Sequence, residues 1–306
     1  MSARELAILF VLCVAWGYHY VVVKIGVEEV PPMFYAAMRM TLVAVLLAPF
    51  LRWRPGKMAY VLSAALTFGA FNYALLFTGM KYATASASAI ANELYVPFAT
   101  ILSVMFLNET IGWRRIAGIS LAFAGVAVIA LSRDQGAAGD RIGLGVGLVA
   151  AATFIEAVGA ILVKKATGFK AWELLAWFGA IGAPCLWVMS AIFETGQQEA
   201  LASANKPLIV SAILYSALIA SIFGHTTYYW LIQRRPVSEV ASSTLLTAAL
   251  AVMFSVFFLG EAFTLAFAIG GIMTLIGVGV VVLRAPRTAP EPGAPEAVVV
   301  SAEERP

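Results

Sequence analysis

Charge is what this chain of 306 residues has least of. Only 12% of its positions are Asp, Glu, Lys or Arg, against roughly 25% in ordinary soluble domains. So little polar surface cannot keep a folded chain of this size dispersed in water. A soluble enzyme and a nucleic-acid binder are excluded on that ground. Cysteine is also scarce: Cys13 and Cys185 both lie in apolar runs and read as small buried hydrophobes, which excludes a disulfide scaffold. The chain lacks an HExxH pair, a phosphate-binding P-loop, a GxSxG elbow and a cysteine pair at metal-ligand spacing. No cofactor, metal or catalytic residue is therefore expected.

What the chain has is apolar sequence, 61% of it hydrophobic, in runs of about 20 residues. That length crosses ~30 Å of hydrocarbon at 1.5 Å per residue. Breaks of charge, Pro and Gly divide it into ten spans, near 6–24, 33–51, 58–81, 84–107, 113–131, 142–163, 172–193, 208–232, 239–259 and 264–283. Arg4 precedes the first run without a small-residue cleavage site after it, so the first span reads as a retained helix that ends at Lys24. The segment 285–306, with five prolines and four glutamates, cannot bury a core and is expected to be a disordered cytoplasmic tail.

Ten spans place both termini on one side, and the Lys/Arg distribution selects it. With a cytoplasmic N-terminus the inner set is Arg4, Arg52, Arg54, Lys57, Arg114, Arg115, Lys164, Lys165, Lys170, Arg234, Arg235, Arg284, Arg287 and Arg305, fourteen in all. The outer set is Lys24, Lys81, Arg133, Arg141 and Lys206, five in all, with Arg39 inside the second span. Both ends are expected to face the cytoplasm.

The chain also repeats itself. Shifted by 152 residues, 81–132 falls over 233–284 with fourteen of 52 positions identical, where this composition gives about five by chance. Phe106-Leu107-x-Glu109 lies over Phe258-Leu259-x-Glu261, Gly118 over Gly270, and Gly125 over Gly277. Each half thus holds five spans, 1–133 and 140–284, and an odd number inverts the second half. Loop charges agree: the basic loop at Arg52, Arg54 and Lys57 matches a loop at 194–206 with one Lys and two Glu. Inverted repeats are the architecture of alternating access, with the substrate near the midplane between halves.

Ala15-Trp16-Gly17, Lys24, Arg39 in the second span and Phe-Leu-x-Glu closing spans four and nine resemble the EamA family of the drug/metabolite transporter superfamily. The resemblance covers roughly 5–284. It implies ten transmembrane helices as two inverted five-helix repeats, in a bacterial-type inner membrane. Val22–Arg39, with Val-Lys-x-Gly and Pro31-Pro32, is most similar to the amino-acid-metabolite exporters, which move cysteine and O-acetylserine. That implies a secondary transporter exporting small amino-acid-like metabolites across the bilayer. One departure from the family pattern is that Pro97 has Ala249 as its counterpart, which removes the ground for a kink in span nine.

The polar residues at membrane depth are the candidate site. Glu93 and Glu156 fall about ten and about fourteen residues into spans four and six. A carboxylate there costs at least ~2.5–3.5 kcal/mol to insert, which marks each as a proton-coupling group or a counter-charge for an ammonium. Asn92 and Tyr95 flank Glu93, and Pro97 removes the helical partner of a nearby carbonyl, leaving a backbone acceptor at depth. Trp16, His19 and Tyr20 share one face of span one at i, i+3 and i+4. Asn72 and Tyr73 in span three match Gly224 and His225 in span eight, where His225, Tyr228 and Tyr229 form a second such face. Thr244 completes the set, and Trp16, His19, Asn72, Tyr73, Asn92, Glu93, Tyr95, Glu156, His225, Tyr228 and Thr244 are expected to line one central cavity.

Glu109 and Glu261 read as structural, each set to bind an adjacent helix N-terminus. Arg39 reads as an outer residue that snorkels or pairs with Glu28 or Glu29. Two rival functions remain. A sugar or nucleotide-sugar carrier would need buried Lys or Arg for phosphate, and on this reading mid-bilayer basic residues are missing. An intramembrane enzyme would need Glu93, His19 and His225 as catalysts, without any catalytic motif to support it.

Overall fold

A computed structural model describes residues 2–107, 111–132, 141–202, 205–232 and 243–283. Among them, nine helices of 18 or more residues are apolar enough to cross a membrane, and Ser243–Leu259 forms a tenth, described over 17 residues. The chain is an all-helical integral membrane protein of ten spans. The proposed tail at 285–306, Glu109, and the basic residues Arg133, Arg234, Arg235, Arg284, Arg287 and Arg305 lie outside the described residues.

Local chemistry sets several span ends. Span one runs Ala3–Glu29 from a Ser2–Glu5 capping box. It does not stop at Lys24 as the charge suggested. The Lys24 ammonium donates to the carbonyls of Met80 and Ala83 at 3.0 and 2.9 Å and pairs with Glu28 at 3.4 Å, so the helix carries the charge past the expected boundary. Span two starts at Pro32, where proline's missing N–H costs nothing. The Glu194 carboxylate accepts the amides of Met33 and Phe34 at 2.7 and 2.9 Å. Glu261, at the end of span nine, does the same for Ala85 and Ser86 at the start of span four. Both carboxylates sit at positive helix ends.

Packing is organised as helix pairs. Spans five and ten run against each other, as do spans two and seven. Span one packs on nine and eight, while span six packs on four and three. Exchanging each span for the one five places on reproduces the pattern. In the five–ten pair, a Cβ on Gly125 would lie 2.5 Å from the Gly270 carbonyl and one on Gly277 2.5 Å from the Gly118 carbonyl. Only glycine allows backbones to approach so closely. Two large hydrophobic clusters result, one dominated by spans two, three, seven and eight and the other by spans four, five, six, nine and ten, with a smaller third at Leu9, Leu12, Cys13 and Leu231. The site lies where they meet.

Two spans depart from α geometry at matching places. Span three contains a π segment over Thr67–Asn72 and span eight another over Tyr215–Phe223. Span four breaks between Ala85–Asn92 and Tyr95–Leu107, with Glu93 and Leu94 at the break. Such interruptions re-aim side chains and recur at functional sites.

Candidate functional site

A cavity of about 250 Å³ lies among spans one, two, three, four, six, eight and nine. Spans five, seven and ten stay outside it and serve as buttress. All eleven residues singled out by depth and polarity line this one cavity. Tyr20, Val23, Arg39, Phe68, Leu76, Phe77, Met80, Val96, Ala220 and Thr247 line it too.

One wall is aromatic and is held from span eight. The Trp16 indole N–H donates to the Ala220 carbonyl at 3.0 Å, and its ring meets those of His225 and Tyr228 with centroids 5.8 and 5.4 Å apart. Gly224 makes room for it, because a Cβ there would collide with the indole nitrogen. The carbonyls that hold this wall, of Ala220 and Ser221, lie in the π segment. His225 Nδ1 donates to the Ser221 carbonyl at 2.9 Å, which fixes its tautomer since a carbonyl only accepts. His19 Nε2 shares a 3.0 Å hydrogen bond with the Ser216 hydroxyl, which also meets the Tyr35 hydroxyl at 2.6 Å.

The opposite wall is acidic. Glu93 is 7% exposed and accepts a hydrogen bond from the Thr244 hydroxyl at 3.2 Å. Asn92 is held by the Thr153 hydroxyl, 3.2 Å from its Oδ1. Asn72 donates to the Ala152 carbonyl at 2.9 Å, beside Glu156 one turn further along span six. Tyr20 lines the same cavity. The wall thus gathers two acids with neutral donors and acceptors around them.

Two expectations need correction. The Glu93 carbonyl, which loses its partner to Pro97, is not left open: Val96 N–H reaches it at 3.3 Å in a tighter turn. Arg39 neither snorkels nor pairs with Glu28 or Glu29. It is 2% exposed and borders the cavity, donating from Nε and Nη2 to the Ser221 hydroxyl at 3.1 and 2.8 Å and stacking over the Tyr73 ring at 4.4 Å. The helix begins at Pro32, so Arg39 lies seven residues in, about 10 Å at 1.5 Å per residue. Counting that depth would have found it. A second missed residue, Thr247, was marked by the repeat, which sets it over Tyr95. A buried basic group therefore does exist here, and the phosphate-carrier rival has to be judged on other grounds.

The profile of the EamA-like transporter family matches residues 4–131 and 143–283. A protein of Salmonella typhimurium described as "Probable amino-acid metabolite efflux pump" is 26% identical over 299 residues, 94% of this chain and 99% of its own. Its namesake in Escherichia coli K12 is 26% identical over 91% of this chain and 94% of its own. An uncharacterized transporter of Archaeoglobus fulgidus is 24% identical over 91% and 97%. A crystal structure that is 17% identical superposes with a TM-score of 0.61, covering 92% of this chain and 98% of its own, which shows a shared fold.

Proposed function

Because the chain belongs to the EamA-like transporter family, we propose that it exports small amino-acid-like metabolites by alternating access, through a cavity between two inverted halves. It is a multi-pass membrane transporter and not an enzyme, as its family and named relatives are. The observation that carries the substrate reading is the cavity's division into an aromatic wall and an acidic one. Glu93 and Glu156 offer counter-charge to an ammonium, and Trp16, Tyr228 and Tyr95 offer faces to a short side chain. A cavity of about 250 Å³ holds an amino acid and is small for a nucleotide sugar. Two carboxylates on the lining, Glu93 buried and Glu156 half-buried, also repel a diphosphate. These two points, rather than a lack of buried base, favour the metabolite reading over the sugar-nucleotide carrier.

The halves are taken to be 1–133 and 140–284, inverted about an axis in the membrane plane, in a bacterial inner membrane. The matched helix pairs and the two π segments support that reading. The loop charges favour both termini in the cytoplasm. A reporter that fluoresces only in the cytoplasm, fused after Arg284, should give signal; a dark but stably expressed fusion would reverse the orientation.

The test of function is reconstitution. Purified protein in liposomes should move labelled amino-acid metabolites across an intact bilayer without changing them chemically. Conversion of the label would revive the enzyme rival, and movement of sugar phosphates alone would revive the other. Glu93 and Glu156 are the groups through which a proton would be coupled. An outward proton gradient (acidic lumen) should then drive accumulation by exchange of proton for substrate in the wild type and not in Glu93→Gln, whose passive exchange of substrate stays largely intact. Wild-type transport indifferent to the gradient would leave Glu93 as a substrate anchor.

A further inference from the structure

We propose that Arg39 binds the carboxylate of the transported molecule, so that the cavity selects zwitterions rather than amines. The proposal rests on the transporter reading and deepens it. Arg39 carries five N–H donors in a planar fork. Nε and Nη2 are directed at the Ser221 hydroxyl, with the Tyr73 hydroxyl 3.4 Å from Nη2. Nη1 is buried and has no hydrogen-bond partner. Among the described residues, no carboxylate lies within ion-pair distance of it.

A guanidinium with 2% exposure and no counter-charge is costly. Its neighbours do not neutralise it: they are two hydroxyls and the faces of Tyr73 and Phe77, whose centroids lie 4.4 and 5.5 Å from the guanidinium carbon. The ring faces attract the cation but leave the Nη1 protons unmatched. Both acids of the site stand on other helices, Glu93 buried on span four and Glu156 half-buried on span six. Neither forms an ion pair with Arg39. The cavity therefore keeps a cation and two anions apart around one small volume. An α-amino acid, with its ammonium and carboxylate on one carbon, has the charge pattern that joins the two sides.

Nη1 itself is buried, although Arg39 borders the cavity. A carboxylate reaches it after a shift of the Tyr73 or Phe77 ring, the scale of side-chain movement common at binding sites. The carboxylate would then receive charge-assisted N–H donors, among the strongest hydrogen bonds available.

A purely structural role is the competing account, since Arg39 also fastens span two to the π segment of span eight through Ser221. The experiment separates them by selectivity. In proteoliposomes, exchange of a labelled α-amino acid that the wild type transports is competed with its carboxamide, which lacks the carboxylate, and with its N-acetyl derivative, which lacks the ammonium. Wild type should prefer the acid over the carboxamide by about tenfold or more. Arg39→Lys keeps charge but loses the fork, and Arg39→Gln loses both. Each should raise KM for the acid while leaving competition by the carboxamide nearly unchanged, so the preference collapses. Glu93→Gln should instead erode discrimination against the N-acetyl derivative.

Equal weakening of both competitors in the Arg39 variants would overturn the proposal in favour of the structural role. So would a wild type that accepts the carboxamide as well as the acid, a measurement that needs no variant to fold. In either case exchange of the α-amino acid itself would leave the transporter reading standing. Failure of the wild type to exchange any α-amino acid would remove that reading, and the proposal with it.

Discussion

Spans four and nine occupy equivalent places in the repeat and are built differently. Span four breaks at Glu93 and Leu94, three residues before Pro97, and presents Asn92, Glu93 and Tyr95 to the cavity. Span nine runs unbroken over Ser243–Leu259, with Ala249 where Pro97 would fall, Leu245 in place of Glu93, and Thr244 and Thr247 in place of Asn92 and Tyr95. A hydrogen bond joins the two, from the Thr244 hydroxyl to the Glu93 carboxylate. Elsewhere the halves match closely: glycines in spans five and ten interlock, and spans three and eight carry π segments at corresponding positions. The scaffold is symmetric, and within this pair the charged chemistry sits on span four alone. A helix that must bend and carry charge needs its proline. Its partner needs only to stay straight and offer a hydroxyl.

The largest effect should come from breaking the symmetric part. Gly125→Leu would push a side chain into the Gly270 carbonyl and the Thr274 backbone nitrogen, so no monodisperse protein should survive size-exclusion chromatography. Gly271→Ala, whose Cβ meets nothing nearer than Ile90 Cδ1 at 4.0 Å, should elute like wild type. Next is the straight helix. Ala249→Pro removes an interior helical hydrogen bond at a cost of about 3 kcal/mol, which thermal unfolding in detergent should register as a lowered Tm. Pro97→Ala is the converse change and should leave Tm equal or higher while lowering transport, because the Glu93 turn relaxes toward a regular helix.

The asymmetric chemistry comes third. Glu93→Gln should lower kcat/KM about 10- to 100-fold, the worth of one charged hydrogen bond, with the fold intact. Leu245→Ala at the matching place in span nine should change it about twofold or less. An effect smaller than that of Glu93→Gln is expected at Gly224→Ala, which displaces the Trp16 ring and should raise KM a few-fold without altering the maximal rate.

The ten spans were legible because apolar runs of bilayer length admit little else. The cavity set could be read too, since counting residues into a span gives depth, and depth with polarity identifies Glu93, Glu156, Asn92 and His225. Arg39 escaped because a basic residue near a helix end was assigned to snorkelling before its depth was measured. Lys24 misled in the other direction, since three backbone carbonyls surround its ammonium at the end of span three. The π segments leave no mark in the sequence. They arise where the tertiary contacts of Asn72 and Ser221 outweigh regular helix geometry, and no proline or glycine pattern announces them. The Glu93 carbonyl was misjudged because a single residue can tighten its turn and recover a partner.

The central claim is that one cavity, opened alternately to the two sides, carries an α-amino-acid-like zwitterion. Trans-stimulation tests it most directly: uptake of a labelled α-amino acid into proteoliposomes is measured with and without the same unlabelled compound inside. The account predicts saturable uptake that rises severalfold in loaded vesicles, and the same response at a higher KM in Glu93→Gln. Uptake that is linear in concentration and indifferent to internal substrate would contradict it.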